Sequence, residues 1–315
     1  MKNKRVLKIL KSQTFFLICI IVIMVIGISM VNPRFIMQQN ILAILQQISV
    51  LGIATMATTM LLKSALFDLS SSGIISLTCV LVAKFITDGM NVALAAMLGM
   101  LAATLMGAIN GMIITKTKTL PMIITLGMQY VYSGMALAIT GGVFIGLKGK
   151  FSFLGTGKVM GIPVSIIVFL VVVVIVYFIL ERTRYGRRLV AIGNNPEATY
   201  LSGINVDRYM LMNYTVSGAF FGLSALVLLS RLGSVVSTVG NGYELRSIAA
   251  AIIGGVSVSG GKGTVFGAFL GVIMMGIISN GMNILNINSY YQNIVLGIVI
   301  VVAVIVSNMN ALKSK

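Results

Sequence analysis

The sequence contains no histidine and no tryptophan, and only six of its 315 residues are aspartate or glutamate. Histidine and paired carboxylates are the side chains that most often act as acids, bases and metal ligands in enzymes. The acidic residues form no close pair along the chain: Asp68, Asp88, Glu181, Glu197, Asp207 and Glu244. The sequence therefore predicts a protein that is not an enzyme, with no catalytic residue, no metal site and no cofactor.

Cysteine is also scarce, with one residue at Cys19 and one at Cys79, each inside an apolar segment. Two isolated cysteines supply neither a disulfide framework nor the ligand spacing of a zinc site. We expect both to be small buried hydrophobic residues.

Charged residues make up 9% of the chain and hydrophobic residues 58%, and the mean hydropathy is +1.04. A soluble domain carries charge at about a quarter of its positions, so this chain cannot coat a water-facing surface. Apolar runs of roughly 20 residues recur, which is the length that an α-helix needs to cross a bilayer. The composition predicts an all-α, polytopic protein of the cell membrane (plasma or inner), in contact with the lipid bilayer through about ten transmembrane helices.

Charged residues, proline, glycine and asparagine divide the apolar length into predicted spans. The ten spans are 14–31, 41–62, 70–87, 91–115, 120–140, 162–181, 209–230, 246–257, 264–284 and 290–308. The eighth is too short to cross alone, which is tolerated only where protein or a water-filled cavity shields it. No small-residue cleavage site follows the first apolar run, so we expect a retained span and not a signal peptide.

The net charge is +17, because 23 lysines and arginines outnumber the six acidic residues, and these cations lie in short tracts between apolar segments. No compact basic domain is present, so a nucleic-acid partner is excluded. If the N-terminus is inside, 16 of the 23 cations lie in the cytoplasmic segments between the predicted spans, so the positive-inside rule places both termini in the cytoplasm. We expect a cytoplasmic N-terminus (1–13), one transmembrane domain (14–308) with a cytoplasmic loop at 182–208, and a cytoplasmic tail (309–315).

Three spans carry glycines four residues apart, a spacing that puts both on one helix face and permits close packing of a second helix. The pairs are Gly107 with Gly111, Gly218 with Gly222, and Gly267 with Gly271. Packing within the chain is the simpler interpretation, and a seam between two copies is the alternative.

The glycine-rich stretch at 254–264 fails as a phosphate-binding loop. A Walker A motif requires glycine five residues before the Gly-Lys pair and serine or threonine directly after the lysine. Val256 and Gly263 occupy those two positions. If ATP drives this protein, the nucleotide site lies on another chain.

The longest polar loop, 181–208, contains a short predicted helix. Asn195 suits the N-cap, Pro196 the first helical position and Glu197 the positive end of the helix dipole, and Gly203 can end the helix in a left-handed conformation. Such a helix either lies on the protein's own spans or forms a knob that fits a groove on a cytoplasmic partner.

Six motifs follow one another in the second half of the chain: Tyr185-Gly186-Arg187-Arg188, Ala191-Ile192-Gly193-Asn194-Asn195-Pro196-Glu197-Ala198, Leu201-Ser202-Gly203-Ile204, Gly240-Asn241-Gly242-Tyr243-Glu244-Leu245, Ile248-Ala249-Ala250-Ala251-Ile252-Ile253-Gly254-Gly255 and Ser259-Gly260-Gly261-Lys262-Gly263-Thr264. In their order and spacing the sequence resembles the permease subunit of ATP-binding-cassette importers of the ribose and simple-sugar class, and the resemblance extends from about residue 45 to 305.

The resemblance implies a coupling helix that docks on a separate ATPase subunit, formed by Asn195, Pro196, Glu197, Ala198, Leu201 and Gly203. It also implies an extracytoplasmic solute-binding protein and a second permease copy, identical or paralogous. Two departures bear on the solute. Ala65-Leu66-Phe67-Asp68-Leu69-Ser70 stands where the family has Gly-Gly-Ile-Asp-Leu-Ser, and Arg246 stands where an acid commonly follows Tyr-Glu-Leu.

A sugar path needs groups that match hydroxyls, and the predicted path residues are Asp68, Ser70, Gln46, Gln47, Asn110 and Asn280. Each has an alternative role, because amides also join helices inside membranes and Asp68 is placed to cap the third helix. The expected solute is a monosaccharide such as ribose. The alternative function, an ion-coupled carrier working alone, needs buried ionisable residues, and Asp68 is the one acid expected at depth.

Overall fold

The structure is a computed structural model that describes residues 13–312. The predicted basic N-terminus lies outside the described residues except for residue 13, as do residues 313–315 of the predicted tail. The architecture is all-α as predicted, with four two-residue strands at one end of the helical bundle.

The helices, numbered in chain order, are α1 (Gln13–Val31), α2 (Gln38–Lys63), α3 (Ser71–Thr87), α4 (Val92–Thr117), α5 (Pro121–Thr140), α6 (Phe153–Thr156), α7 (Val164–Tyr177), α8 (Arg184–Asn194), α9 (Pro196–Leu201), α10 (Val206–Leu232), α11 (Tyr243–Ile253), α12 (Val265–Ile284) and α13 (Ser289–Leu312). A 3₁₀ turn (Pro33–Ile36) precedes α2, and a π turn (Phe178–Arg182) continues α7. The strands are β1 (Ile145–Gly146), β2 (Lys158–Val159), β3 (Ile162–Pro163) and β4 (Ser234–Val235); β1 pairs antiparallel with β4, and β2 with β3.

Seven helices of the described chain are long and apolar enough to cross a membrane: Thr14–Val31, Gln38–Lys63, Val92–Thr117, Pro121–Thr140, Val164–Arg182, Val206–Leu232 and Val265–Ile284. A polytopic membrane fold is thereby confirmed. Helices α3, α11 and α13 coincide with the other predicted spans, but α3 has 17 residues and α11 only 11. Ten crossings therefore remain a prediction.

Helix α2 forms the centre of the bundle, with an unbroken buried stretch from Ile48 to Lys63. Its threonine hydroxyls donate hydrogen bonds to backbone carbonyls in the preceding turn, as Thr55 does to Leu51 at 2.7 Å, so few polar groups are left unpaired. Helix α10 runs antiparallel to α2, since Asn213 near its start bonds the carbonyl of Met60 and Ser224 bonds that of Val50. Helix α10 thus holds the middle and the C-terminal end of α2.

The glycine pairs pack within the chain, as the simpler interpretation held. Gly107 of α4 lies against Gly218 of α10, because a β-carbon on Gly107 would stand 2.9 Å from the Gly218 Cα. Gly271 of α12 packs on the backbone of α11 at Ala250, and Gly267 packs on Gly254, the residue just after α11. All three pairs are occupied by intrachain contacts, so the alternative of a seam between copies is wrong for them.

The chain re-enters the bundle after β4. Gly240 donates its N–H to the Ser76 hydroxyl of α3 at 2.9 Å and packs on the carbonyl of Ser72. Helix α11 therefore begins inside the bundle, and it runs as a half-length helix toward the end where α8 and α9 lie. We call this the α9 end.

Of the two cysteines, Cys79 is buried as predicted, and its thiol donates to the carbonyl of Ala225 at 3.2 Å. Cys19 is only half-buried. Helix α1 lies at the edge of the bundle and contacts α12 along one side, which leaves its other faces uncovered.

Candidate functional site

The polar loop after α7 folds into two short helices. The Thr183 hydroxyl accepts the N–H of Gly186 at 3.2 Å and so starts α8, whose arginines face outward. Leu189, Ile192 and Gly193 point the other way and are buried. Sequence reasoning missed α8, although the spacing of these three residues is that of an amphipathic helix and carried the signal.

Helix α9 has the local structure that the sequence predicts. The Asn195 side chain accepts the N–H of Ala198 at 2.9 Å, Pro196 is the first helical residue, and Gly203 ends the helix at φ +80°. Six residues are too few for a stable isolated helix, so tertiary contacts must hold it. Thr199, which is buried and bonds the Asn195 carbonyl at 2.7 Å, is the inward anchor that sequence reasoning did not identify.

The outer face of α9 is apolar and uncovered. Tyr200 is 68% exposed and Leu201 79%, and Ala198 is also exposed. Beside them lies a groove of about 850 Å³ lined by Lys118, Pro196, Glu197, Tyr200, Leu201, Gly203, Ile204, Asn205, Val206 and Asp207. Of the six residues predicted for a coupling helix, four line this groove, and the other two, Asn195 and Ala198, line a separate smaller cleft with Ala191.

Side-chain contacts hold α8 and the end of α4 against the start of α10. Lys118, just beyond α4, forms an ion pair with Asp207 at 2.5 Å. The Arg188 guanidinium donates to the Tyr209 hydroxyl, and the Tyr209 ring packs on Tyr185 with centroids 5.7 Å apart. Burial raises the pKa of the Tyr185 hydroxyl, which therefore stays protonated and uncharged. The two helices and α10 form one connected surface.

A second polar cluster lies inside the bundle, where α3, α4 and α5 meet. Asp68 Oδ1 accepts both the N–H of Ser70 at 2.8 Å and its hydroxyl at 2.5 Å. The Asn110 amide donates to the Ser70 hydroxyl at 2.7 Å, and the Tyr132 hydroxyl donates to Asn110 Oδ1 at 3.0 Å. Three predicted path residues therefore form one buried hydrogen-bonded network, which we call the Asp68 network, with Tyr132 as a fourth member.

Asp68 does not cap α3 directly. The N-cap position is Ser70, whose side chain makes no cap bond, and the Asp68 carboxylate stabilises the turn just before it. The other carboxylate oxygen, Oδ2, is buried and accepts no hydrogen bond from residues 13–312. A buried acceptor without a partner is costly, so a hydrogen-bond donor placed beside this oxygen would stabilise it.

The remaining predicted path residues lie elsewhere. Asn280 is paired reciprocally with Asn40 at 3.0 Å, and this contact fastens the end of α12 to the start of α2. Gln46 and Gln47 are half-buried on α2, and the backbone carbonyl of Gln46 accepts from Arg231 at 3.4 Å. None of these three residues bonds to the Asp68 network.

Comparison with known proteins relates the chain to membrane permeases. Residues 40–304 match the family model described as the permease component of branched-chain amino acid transport systems. The ribose import permease RbsC of Bacillus subtilis (strain 168) is 39% identical over 286 residues, which is 90% of this chain and 89% of the relative.

Two further relatives transport other sugars. The D-allose transport system permease AlsC of Escherichia coli (strain K12) is 37% identical over 296 residues, 93% of this chain and 90% of the relative. The fructose import permease FrcC of Rhizobium meliloti is 32% identical over 276 residues, 83% and 75% of the two chains. No solved structure matches the chain significantly.

Proposed function

The chain belongs to the permease family whose model matches residues 40–304, and we propose on this premise that it is the membrane-spanning subunit of an ATP-driven importer of a monosaccharide. The single observation that carries the proposal is the capped helix α9, which presents an uncovered apolar face beside a groove. The chain carries no ATP-binding loop of its own, so hydrolysis belongs to a separate ATPase subunit.

Helix α9 is the proposed contact with that ATPase. Exposed Leu201 and Tyr200 provide apolar area for docking, while Thr199 and the Asn195 cap keep the helix in place. Docking of a short rigid helix in a partner's groove is an established mode of protein recognition. This placement supports the coupling role proposed for Asn195, Pro196, Glu197, Ala198, Leu201 and Gly203.

The topology proposed is ten membrane crossings with the α9 end in the cytoplasm. Arg182, Arg184, Arg187 and Arg188 concentrate positive charge at that end, in agreement with the positive-inside rule. Helix α1 ends beside the end of α12, where Asn32 bonds the carbonyl of Ile284, so α1 starts at the α9 end. A cytoplasmic N-terminus follows, and an even number of crossings returns the C-terminus to the same side.

For the solute we propose a pentose or hexose, with ribose first because the ribose permease of Bacillus subtilis, at 39%, is more similar to this chain than the D-allose permease at 37% or the fructose permease at 32%. The Asp68 network is the proposed polar part of its path. The free Oδ2 of Asp68 is an acceptor that suits a sugar hydroxyl, and Asn110 and Ser70 hold the carboxylate in place. A solute-binding protein delivers the sugar from outside, and a second permease copy, identical or paralogous, completes the path.

The docking proposal is tested with Leu201→Arg, which puts a charge on the exposed face of α9. The matched control is Leu232→Arg, a half-exposed leucine at the opposite end of α10. We expect the ATPase subunit to co-purify with the wild type and with Leu232→Arg but not with Leu201→Arg. Equal retention of the ATPase by both variants would remove α9 from the proposal.

A further inference from the structure

Three backbone segments meet in close contact where α8 joins α9. They are the end of α2 at Lys63, the end of α8 at Gly193 and Asn194, and the loop residues Gly260 and Gly261 between α11 and α12. We call this contact the glycine junction. It lies directly behind the helix proposed to dock on the ATPase.

The junction has no room for a side chain. The N–H of Gly261 donates to the carbonyl of Lys63 at 3.0 Å. A β-carbon on Gly193 would overlap that same carbonyl and stand 2.8 Å from the Gly261 nitrogen. A β-carbon on Gly260 would lie 2.6 Å from the carbonyl of Gly193. Such contacts fall below the closest approach of real atoms, so glycine is required at both positions.

Two of these glycines are also required by their backbone conformation. Gly260 has φ +84° and Gly261 φ +71°, in the left-handed region that side chains disfavour. A β-carbon on Gly261 would overlap the side-chain amide of Asn194, the residue just before the α9 cap. Asn194 is in turn fixed, because its amide donates to the carbonyl of Val190 at 2.9 Å.

The segments that meet here lead to different parts of the bundle. Beyond Lys63 the chain continues through 64–70 into the Asp68 network, and the Lys63 ammonium lies 3.6 Å from Glu181 in the π turn that ends α7. Gly260 and Gly261 belong to the loop that joins the half-length helix α11 to α12. Segments whose backbones are in contact move together, because a close-packed interior is barely compressible and a shift of one segment displaces the next.

We propose that the glycine junction is the joint through which movement of α8 and α9 displaces the end of α2 and the α11–α12 loop together. The inference rests on the proposed function, in which the ATPase moves α9. It assigns Gly193, Gly260 and Gly261 as positioning residues for transport, acting through the backbone and not by contact with the solute.

The first test is Gly193→Ala in the complete complex of permease, ATPase and binding protein, reconstituted in vesicles with ribose as the probe. The added methyl group separates α8 from Lys63, so we expect the ATPase to stay bound while uptake per ATP hydrolysed falls about tenfold, within the usual range of coupling between sites. The control is Gly27→Ala in α1, whose methyl group meets nothing within 4 Å and leaves this ratio unchanged.

The second test separates the joint from a folding defect. Gly261→Ala should lower uptake per ATP, and the double variant Gly261→Ala with Asn194→Ala should recover it about fivefold, since contacting residues are energetically coupled. Backbone strain at Gly261 is the same in both variants, so recovery can come only from removal of the Asn194 contact. This pair also decides the matter if Gly193→Ala does not assemble.

Normal uptake per ATP in Gly193→Ala and Gly261→Ala, or no recovery in the double variant, would overturn the joint while leaving ATPase docking intact. A wild-type chain that fails to retain the ATPase would overturn the proposed function and the joint together. The retention measurement therefore tells the two failures apart.

Discussion

Removal of the Asn110 side chain tests whether the hydrogen bonds of the Asp68 network stabilise the folded protein. Asn110→Ala deletes the donor to the Ser70 hydroxyl and the acceptor of Tyr132. Ser70 keeps its bond to Asp68, and Tyr132 keeps the carbonyl of Met106 at 3.0 Å. The substitution therefore removes two hydrogen bonds and leaves a small cavity, without stranding a donor.

The expected cost follows from these losses. A hydrogen bond between helices within a membrane contributes about 0.6–1.5 kcal/mol. A cavity left by a few buried heavy atoms adds about 1 kcal/mol. Asn110→Ala should thus lower the free energy of unfolding by about 2–4 kcal/mol, and Tyr132→Phe by about 1 kcal/mol.

The assay is reversible unfolding of the purified permease in mixed micelles of detergent and denaturing surfactant, with a double-mutant cycle between the two positions. Because Tyr132 bonds directly to Asn110, the cycle should give a coupling energy of about 0.5–1 kcal/mol. Strictly additive effects, or a loss under about 0.5 kcal/mol for Asn110→Ala, would refute the network as described.

Three further substitutions probe single contacts. Glu181→Gln leaves the buried Lys63 ammonium without its charged partner and should lower the free energy of unfolding by about 2–4 kcal/mol in the same assay. Lys63→Met should lower it less, because the Glu181 carboxylate that remains is 30% exposed and can be solvated. Equal losses in the two variants would contradict the buried ion pair. Gly107→Ala should lower the free energy of unfolding by about 1–3 kcal/mol, because the added methyl group forces α4 away from α10. The control Gly127→Ala should change it little or raise it, since a methyl group there meets nothing within 4 Å. Similar melting temperatures of the two variants would refute the close crossing of α4 and α10. Ala65 has φ +57°, a left-handed conformation that strains any residue with a side chain and that glycine adopts freely. Ala65→Gly should therefore raise the free energy of chemical unfolding by about 0.5–1 kcal/mol. A loss of stability would show that the backbone at residue 65 is not strained.

Helix placement was predictable because it depends on local sequence. Apolar length located the long helices within a few residues, since hydrocarbon thickness fixes the length of a crossing. The cap at Asn195, the proline at 196 and the left-handed Gly203 were predictable for the same reason, as each depends on neighbours within four residues.

Contacts between distant segments were not predictable in this way. Asn280 was predicted in the solute path, yet it pairs with Asn40, a residue 240 positions earlier. The close approach of Gly193 to Lys63 and Gly261 joins three segments that no sequence periodicity connects. The re-entry of Gly240 beside Ser76 likewise depends on the arrangement of the whole bundle and not on the eleven residues of α11.

A requirement of uptake for ATP distinguishes the subunit of an ATP-driven importer from an ion-coupled carrier that works alone. Purified permease is reconstituted in vesicles with and without its ATPase and binding protein, and uptake of radiolabelled ribose is measured under an ion gradient or with ATP at the ATPase side. We expect uptake only with ATP and with both partners present. Uptake by the permease chain alone, driven by the ion gradient without an ATPase, would contradict it.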